Sequence, residues 1–307
     1  MDYIKISKEI FERFSPTAID TENDIYNALS SFFESAYREL ALNLLGQSLA
    51  KQLPTLIEAT YDNDPSTWGV CGEETWMLKK MEMPEIRDTV YEYIVNTALY
   101  DAIPQLDLVL TNNGFGIVST SQVAPASQER VERLRRSCEM KRDRCFDVLL
   151  TALPNNSLTK DLLVEDQAFY RRTDSLIWTM EDLQTYCRIE SKDVSRKVFL
   201  QHKAAIILAE RQIRQMISNE QFETILKGLR EGETHPVFLH MLPILYGLFS
   251  YLFCNPDKPR CSPMEHELLA YMDESTPYFV NYANSGQYKA RHAEAYRNKP
   301  EDGCFFF

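Results

Sequence analysis

No Cys-x-x-Cys pair occurs anywhere in the chain, which removes the commonest zinc and redox signatures. The cysteines stand at 71, 138, 145, 187, 254, 261 and 304, an odd number without paired spacing, so a reducing compartment is the simpler inference. No two of the five histidines are four residues apart, and His266-Glu267 lacks the rest of a His-Glu-x-x-His metal helix. There is no Gly-x-Ser-x-Gly elbow to present a nucleophile. Gly114-Phe115-Gly116 is followed by no Gly-Lys-Ser/Thr, so it is no phosphate loop. No spacing singles out two carboxylates for acid–base work. An enzyme would need a site assembled wholly in three dimensions, and no cofactor or metal is expected. Positive charge is also short: the net charge is −12, the reverse of a sequence-reading nucleic-acid surface. Such a surface would instead let nucleic acid pass without sticking. The start, MDYIKISKEIF, mixes acid and base and has no apolar core, so no secretory signal is expected there.

What is present reads as a soluble chain of 307 residues, 44% hydrophobic and 25% charged, long enough for one large or two ordinary domains. The most informative stretch is Gln105 to Leu150. Leu106, Leu108 and Leu110 alternate with Asp107, Val109 and Thr111 at the period of a strand. Asn112-Asn113-Gly114 tolerates the positive φ of a tight turn, and Phe115, Ile117 and Val118 form a return strand. Pro125 ends the extended run and Ser127 is a candidate N-cap. Val131, Leu134, Cys138, Cys145, Val148 and Leu149 then recur at helical spacing, which makes the two cysteines core residues. A hairpin over 105–120 leading into a helix over 127–150 is the expected unit.

Elsewhere the periodicity is helical. Short and longer helices are expected from Lys5 and from the capping-box pattern at Thr21, with Gly46 as a stop or kink. Tyr61 to Lys80 reads as irregular. Its Asp62-Asn63-Asp64 is followed at once by proline and lacks the glycine and glutamate of a calcium loop. Pro84 is expected to open a helix to Ala102. Val194 to Ser218 is a further helix, with Phe199, Ala204, Ile207 and Ile213 at its apolar positions. The run Val237 to Cys254 is at the lower limit for a membrane span, but His240, Pro243 and Tyr246 within it favour a core helix. A turn at Pro154-Asn155-Asn156-Ser157 marks a candidate boundary. The expected division is therefore an N-terminal helical domain, 1–156, a second helical domain, 157–284, and a C-terminal arm, 285–307. Ala36-Tyr37-Arg38-Glu39-Leu40 and the apolar residues after it can be laid on Ala209-Glu210-Arg211-Gln212-Ile213 at an offset of 173, so the second domain is a candidate divergent repeat of the first.

The last residues are Cys304-Phe305-Phe306-Phe307. They fit the prenylation pattern formally, but no basic patch precedes them. Burial of each phenylalanine contributes about 2 kcal/mol. A polar lead-in from Gln287 to Asp302 makes the segment look like a docking arm, for the same or another chain.

Asp107 to Ser137 resembles a family of unknown function from tailed phages and prophages of gut Bacteroidetes, found in structural gene clusters. Its members share a hairpin Leu-Thr-x-x-Gly-Phe-Gly-x-Val-Ser and a following Asn-x-Ala-Pro-Ala-Ser-x-Glu-Arg-Val. The corresponding residues are Leu110-Thr111, Gly114-Phe115-Gly116, Val118-Ser119, Ala124 to Ser127 and Glu129-Arg130-Val131, with Gln122 where asparagine is frequent. Tyr93, Ala98 and Leu99 of the preceding helix are also similar. The resemblance implies a virion neck component, a head–tail connector or head-completion protein assembled in the host cytoplasm, with no catalytic residues. Its partners would be further copies in a ring, portal or tail proteins, and DNA passing without sequence readout. The residues expected at interfaces are Asn112, Asn113, Gly114 and Phe115 of the hairpin and Phe305, Phe306 and Phe307 of the arm. The fold class expected is mainly α, helical bundle halves with one β-hairpin insertion. A cytoplasmic helical adaptor binding a protein through its Phe-rich tail is the alternative.

Overall fold

A computed structural model describes the backbone of residues 3–16, 25–59, 73–106, 108–111, 114–117, 127–163, 167–189, 195–256 and 262–293. The chain is mainly α-helical and forms two compact units. The first comprises residues 1–185 and 189–201, the second residues 186–188 and 202–307.

In the first unit, α1 (Lys8–Phe14), α2 (Ile25–Ala28) and α3 (Ser30–Leu40) are followed by a π-helical turn (Ala41–Leu45) and α4 (Gly46–Ala59). Then come α5 (Glu73–Ala102), strands β1 (Leu108–Thr111) and β2 (Gly114–Ile117), and α6 (Gln128–Asn155). Short helices α7 (Lys160–Leu163), α8 (Gln167–Arg172) and α9 (Met180–Cys187) close the unit. Its core lies where α3 and α6 pack on α5. Phe33, Ala36, Tyr37 and Leu40 recur at three- and four-residue steps on α3 and are all buried. Ile86, Val90, Ile94 and Ala98 answer from α5, and Cys138, Cys145, Leu149 and Leu153 from α6. Both α6 cysteines are thus core residues, and burial pushes the Cys138 thiol up to about 11 and that of Cys145 higher still. Tyr37, fully buried, donates its hydroxyl to the Ala50 carbonyl at 2.6 Å, so its one polar atom is satisfied.

The strands pair antiparallel, with Leu108 opposite Ile117 and Thr111 opposite Gly114. They are four residues each, and a lone two-stranded ribbon is marginal in water. Asn112 and Asn113 lie outside the described residues. Ser127 stands at the α6 N-cap, but the cap is made by its backbone carbonyl, which accepts from Arg130 and Val131, and its side chain makes no capping bond.

The second unit holds most of α10 (Arg196–Ile217), then α11 (Asn219–Glu231), α12 (Pro236–Cys254), α13 (Ser262–Glu274), α14 (Val280–Ala283) and α15 (Gly286–Arg291). Helix α11 ends in a Schellman motif: Gly232 has φ 67°, and the Glu233 amide donates to the Gly228 carbonyl at 2.8 Å. A Cβ at this left-handed position is strained, so Gly232→Ala is expected to lower stability by about 1 kcal/mol, measured by urea denaturation. Helix α12 is capped by His235, whose Nδ1 accepts from the Val237 amide, and is long and apolar enough to cross a membrane by length and composition. It buries one stripe, Phe238, Met241, Leu245, Leu248, Phe249 and Leu252, while Leu239 is exposed. It is a core helix along that stripe alone.

Several expectations need correction. The compact units do not divide at 156/157, because α7 and α8 pack back onto α4, α6 and the π turn; the division falls near 186–201 instead. Helix α5 begins at Glu73, so Pro84 sits inside it and the helical part extends into the stretch expected to be irregular. Strong helix formers such as Met, Leu, Lys and Glu precede that proline and outweigh its one lost hydrogen bond. On α10 the buried apolar residues are Phe199, Ile206, Ala209, Ile213, Met216 and Ile217, whereas Ala204 is exposed and Ile207 is 52% exposed. Three consecutive apolar residues, Ile206-Ile207-Leu208, leave the phase of a helix undetermined. The arm does not start at 285. Ser285 caps α15 by accepting from the Tyr288 amide, Tyr288 packs on Tyr282, and Arg291 bridges to Asp273 at 3.1 Å.

The two stretches that align at an offset of 173 have a common plan. Ala36, Leu40, Leu44, Leu49 and Leu53 are buried, and so are Ala209, Ile213, Ile217, Phe222 and Leu226. Each stretch is helix, positive-φ residue, helix: Gly46 at φ 70° in one and Ser218, one position out of that register, at φ 81° in the other.

Candidate functional site: a cationic groove over a π turn

The groove is built where α3 fails to continue as an α-helix. Over Ala41–Leu45 the backbone widens into a π turn, a local geometry frequent at functional sites, and Gly46 then takes φ 70° and ψ −179°. Only glycine adopts that conformation without strain. Ala41, Leu44 and Leu45 face the core, which leaves Leu42 pointing outward with 80% of its surface exposed. Asn43 is the anchor point for α8. Arg172 donates through Nε to the Asn43 carbonyl at 3.0 Å and through Nη2 to its Oδ1 at 2.8 Å, a two-pronged bond suited to the rigid guanidinium fork. Phe169, 3% exposed, pins α8 from beneath.

Between these elements lies an open groove of about 860 Å³. Arg38, Lys51, Arg171 and Arg172 line it, with Leu42 and Ala168 supplying apolar wall. Among the described residues, no carboxylate lines it. That is a pronounced departure for a chain carrying −12 overall. Arg38 pairs with Glu34 one turn earlier on α3, but the Arg38 side chain is largely solvated and such a pair contributes little. Arg171 donates to the Gln167 amide oxygen at 3.2 Å and pairs with no carboxylate among the described residues. The groove therefore presents cations and apolar surface together, the combination that recognises an acidic and hydrophobic ligand.

A second, smaller cavity of about 190 Å³ shares Asn43 and Arg172 and is floored by charge. Asp143 accepts from the Arg142 guanidinium at 3.0 Å and from the Arg196 amide at 2.8 Å. Asp147 accepts from Arg196 Nη1 at 3.2 Å and from the Met180 amide. Arg196 also donates to the Trp178 carbonyl at 2.8 Å and stacks over Phe146 and Phe199. Burial pushes the Asp147 carboxyl up to about 6, because desolvation outweighs the attraction of Arg196. Burial also raises Glu39, against the pull of Arg142, and lowers Arg196. The two aspartates at the bottom are held by guanidinium or backbone N–H donors. The cluster is a clamp between α6, α9 and the start of α10, with no nucleophile beside a base. Among the described residues, no group of three His, Cys, Asp or Glu is placed to hold a metal.

Apart from Gly46, none of the groove's residues stands out in the sequence. Arg38 and Lys51 lie some way apart, and Arg172 is 129 residues beyond Asn43. The one legible signal is Gly46, the expected kink. Of the residues expected at interfaces, Gly114 and Phe115 belong to β2, where they face Thr111 and Leu110 in the ladder. Asn112, Asn113, Phe305, Phe306 and Phe307 lie outside the described residues.

Residues 35–161 match the model of a family of unknown function, DUF6712. The match covers one wall of the groove, from Arg38 to Lys51, and stops before the other at Gln167. No curated protein and no solved structure matches the chain.

Proposed function

We propose that this chain is a structural protein of a tailed phage or prophage neck, a head–tail connector that assembles with copies of itself between portal and tail, with no catalytic role. The observation that carries the assembly reading is the groove, which is an acceptor surface with cations and an exposed leucine rather than a site with reacting groups. Ile207 and Leu208, exposed at 52% and 47% on α10, add apolar surface of the kind that association covers. The neck assignment rests on the resemblance carried by Leu110 to Val131. In this reading the hairpin is an insertion that reaches a neighbouring protein through residues 112–115. The shared helix–break–helix plan supports reading the two helical halves as divergent copies of one bundle, with residues 301–307 as an arm. Heterologous contacts of this sort close into rings when the rotation allows. Negative charge suits a lumen through which DNA slides, and the site of action is the virion neck.

Solution mass by light scattering over a concentration series tests the assembly. The full chain is expected to form a defined oligomer, and removal of Cys304 to Phe307 to shift it at least tenfold toward monomer. A monomer at every concentration in both forms would contradict self-assembly and favour an adaptor that docks its tail on a different protein.

A further inference from the structure

We propose that the groove between the π turn and α8 of one copy receives the segment Glu301 to Phe307 of a second copy. The inference rests on the self-assembly reading and adds the receptor for its arm. The segment is Glu-Asp-Gly-Cys-Phe-Phe-Phe: two carboxylates, a glycine that bends freely, and three aromatic rings. The groove offers its chemical complement. Arg38, Lys51, Arg171 and Arg172 line it without a carboxylate among the described residues, and Leu42 stands exposed in its wall. Guanidinium groups serve both ends of such a ligand, since they bind carboxylates through paired N–H donors and stack on aromatic faces.

The apolar wall argues for a peptide over a polyanion. Phosphates would use the cations but gain nothing from Leu42 or Ala168. The overall charge of −12 also repels nucleic acid at a distance, where a short segment with two carboxylates pays little. A volume of about 860 Å³ is within the range of pockets that enclose drug-sized ligands, room for part of the segment. Docking would cover Leu42, the most exposed of the large apolar side chains among the described residues.

Native Cys304 makes the test direct. One population of full-length chain carries Leu42→Cys with Cys304→Ser and an isotopic label, and the other is unlabelled wild type. After mixing and mild oxidation, peptide mapping reads which cysteines have joined. A disulfide between residue 42 of the labelled chain and Cys304 of the unlabelled one is expected, and adding Arg171→Glu to the labelled chain should lower its yield at least tenfold. Leu42 and Arg171 are on the surface, so circular dichroism should report unchanged helix content in both variants. In a single population bearing Leu42→Cys and native Cys304, the bond should form between chains and grow with concentration. A bond confined within one chain would overturn the second-copy assignment. Absence of any 42–304 bond would overturn the groove as receptor, as would duplex DNA binding that Arg171→Glu abolishes while the cross-link stays absent. Light scattering on the wild type separates the two failures: an oligomer without the bond sinks only the groove, whereas a monomer without the bond sinks assembly as well.

Discussion

Replacing Asp143 with alanine is expected to destabilise the first unit by about 3–5 kcal/mol, the cost of breaking a buried charge cluster by removing one partner. Asp143 is 2% exposed and holds two donors from different elements, the Arg142 guanidinium of its own helix and the Arg196 amide at the start of α10. Alanine leaves that amide without its acceptor and takes from Arg142 its nearest counter-charge, leaving Glu139 at 4.0 Å with Glu39 and Asp101 to offset it in part. Asp143→Asn retains an acceptor oxygen but no charge and is expected to lose clearly less. Urea denaturation followed by far-ultraviolet circular dichroism measures both. A loss below about 1 kcal/mol for the alanine variant, the scale of a surface pair, would show that the cluster is no clamp.

The same cluster gives the stability a pH dependence of defined sign. The Asp147 carboxyl is raised from 3.8 to about 6 by burial, with only 13% of its side chain exposed. Between those values the folded protein holds a proton that the unfolded chain has released, so stability falls as pH rises. The contribution is fully present below pH 4 and is lost as pH passes through about 6. Its size is about 3 kcal/mol, the free-energy equivalent of that shift. Glu39, Asp101 and Asp182 are raised by burial as well and act in the same direction. Asp147→Asn cannot titrate, so the stability of the wild type relative to this variant should fall by about 3 kcal/mol from pH 4 to pH 7. Parallel curves for the two proteins would contradict the assignment of Asp147 to a desolvated site.

How much of this could be read in advance depended on the length scale of each signal. Helical periodicity is local, so α6 and the burial of Cys138 and Cys145 were legible, as was the kink at Gly46, because a glycine after an apolar run is a local stop. Phase is undetermined where the local pattern is degenerate, as at Ile206 to Leu208, and a boundary is ambiguous at Pro84, because a proline is compatible with both the first turn of a helix and, among strong helix formers, its interior. The anchoring of α15 is not legible locally, because it depends on Asp273, which precedes it in the chain by more than a helix. The groove and the clamp were illegible for the same reason on a larger scale. Arg172 reaches Asn43, and Asp143 reaches Arg196, across separations that no spacing rule encodes.

Negative-stain imaging of the concentrated full-length protein tests the central claim, self-assembly as a connector, most directly. Closed rings of uniform diameter with rotational symmetry, lost when Cys304 to Phe307 are removed, are the expected result. Uniform single particles of monomer size in both preparations, in a sample whose solution mass agrees, would contradict it.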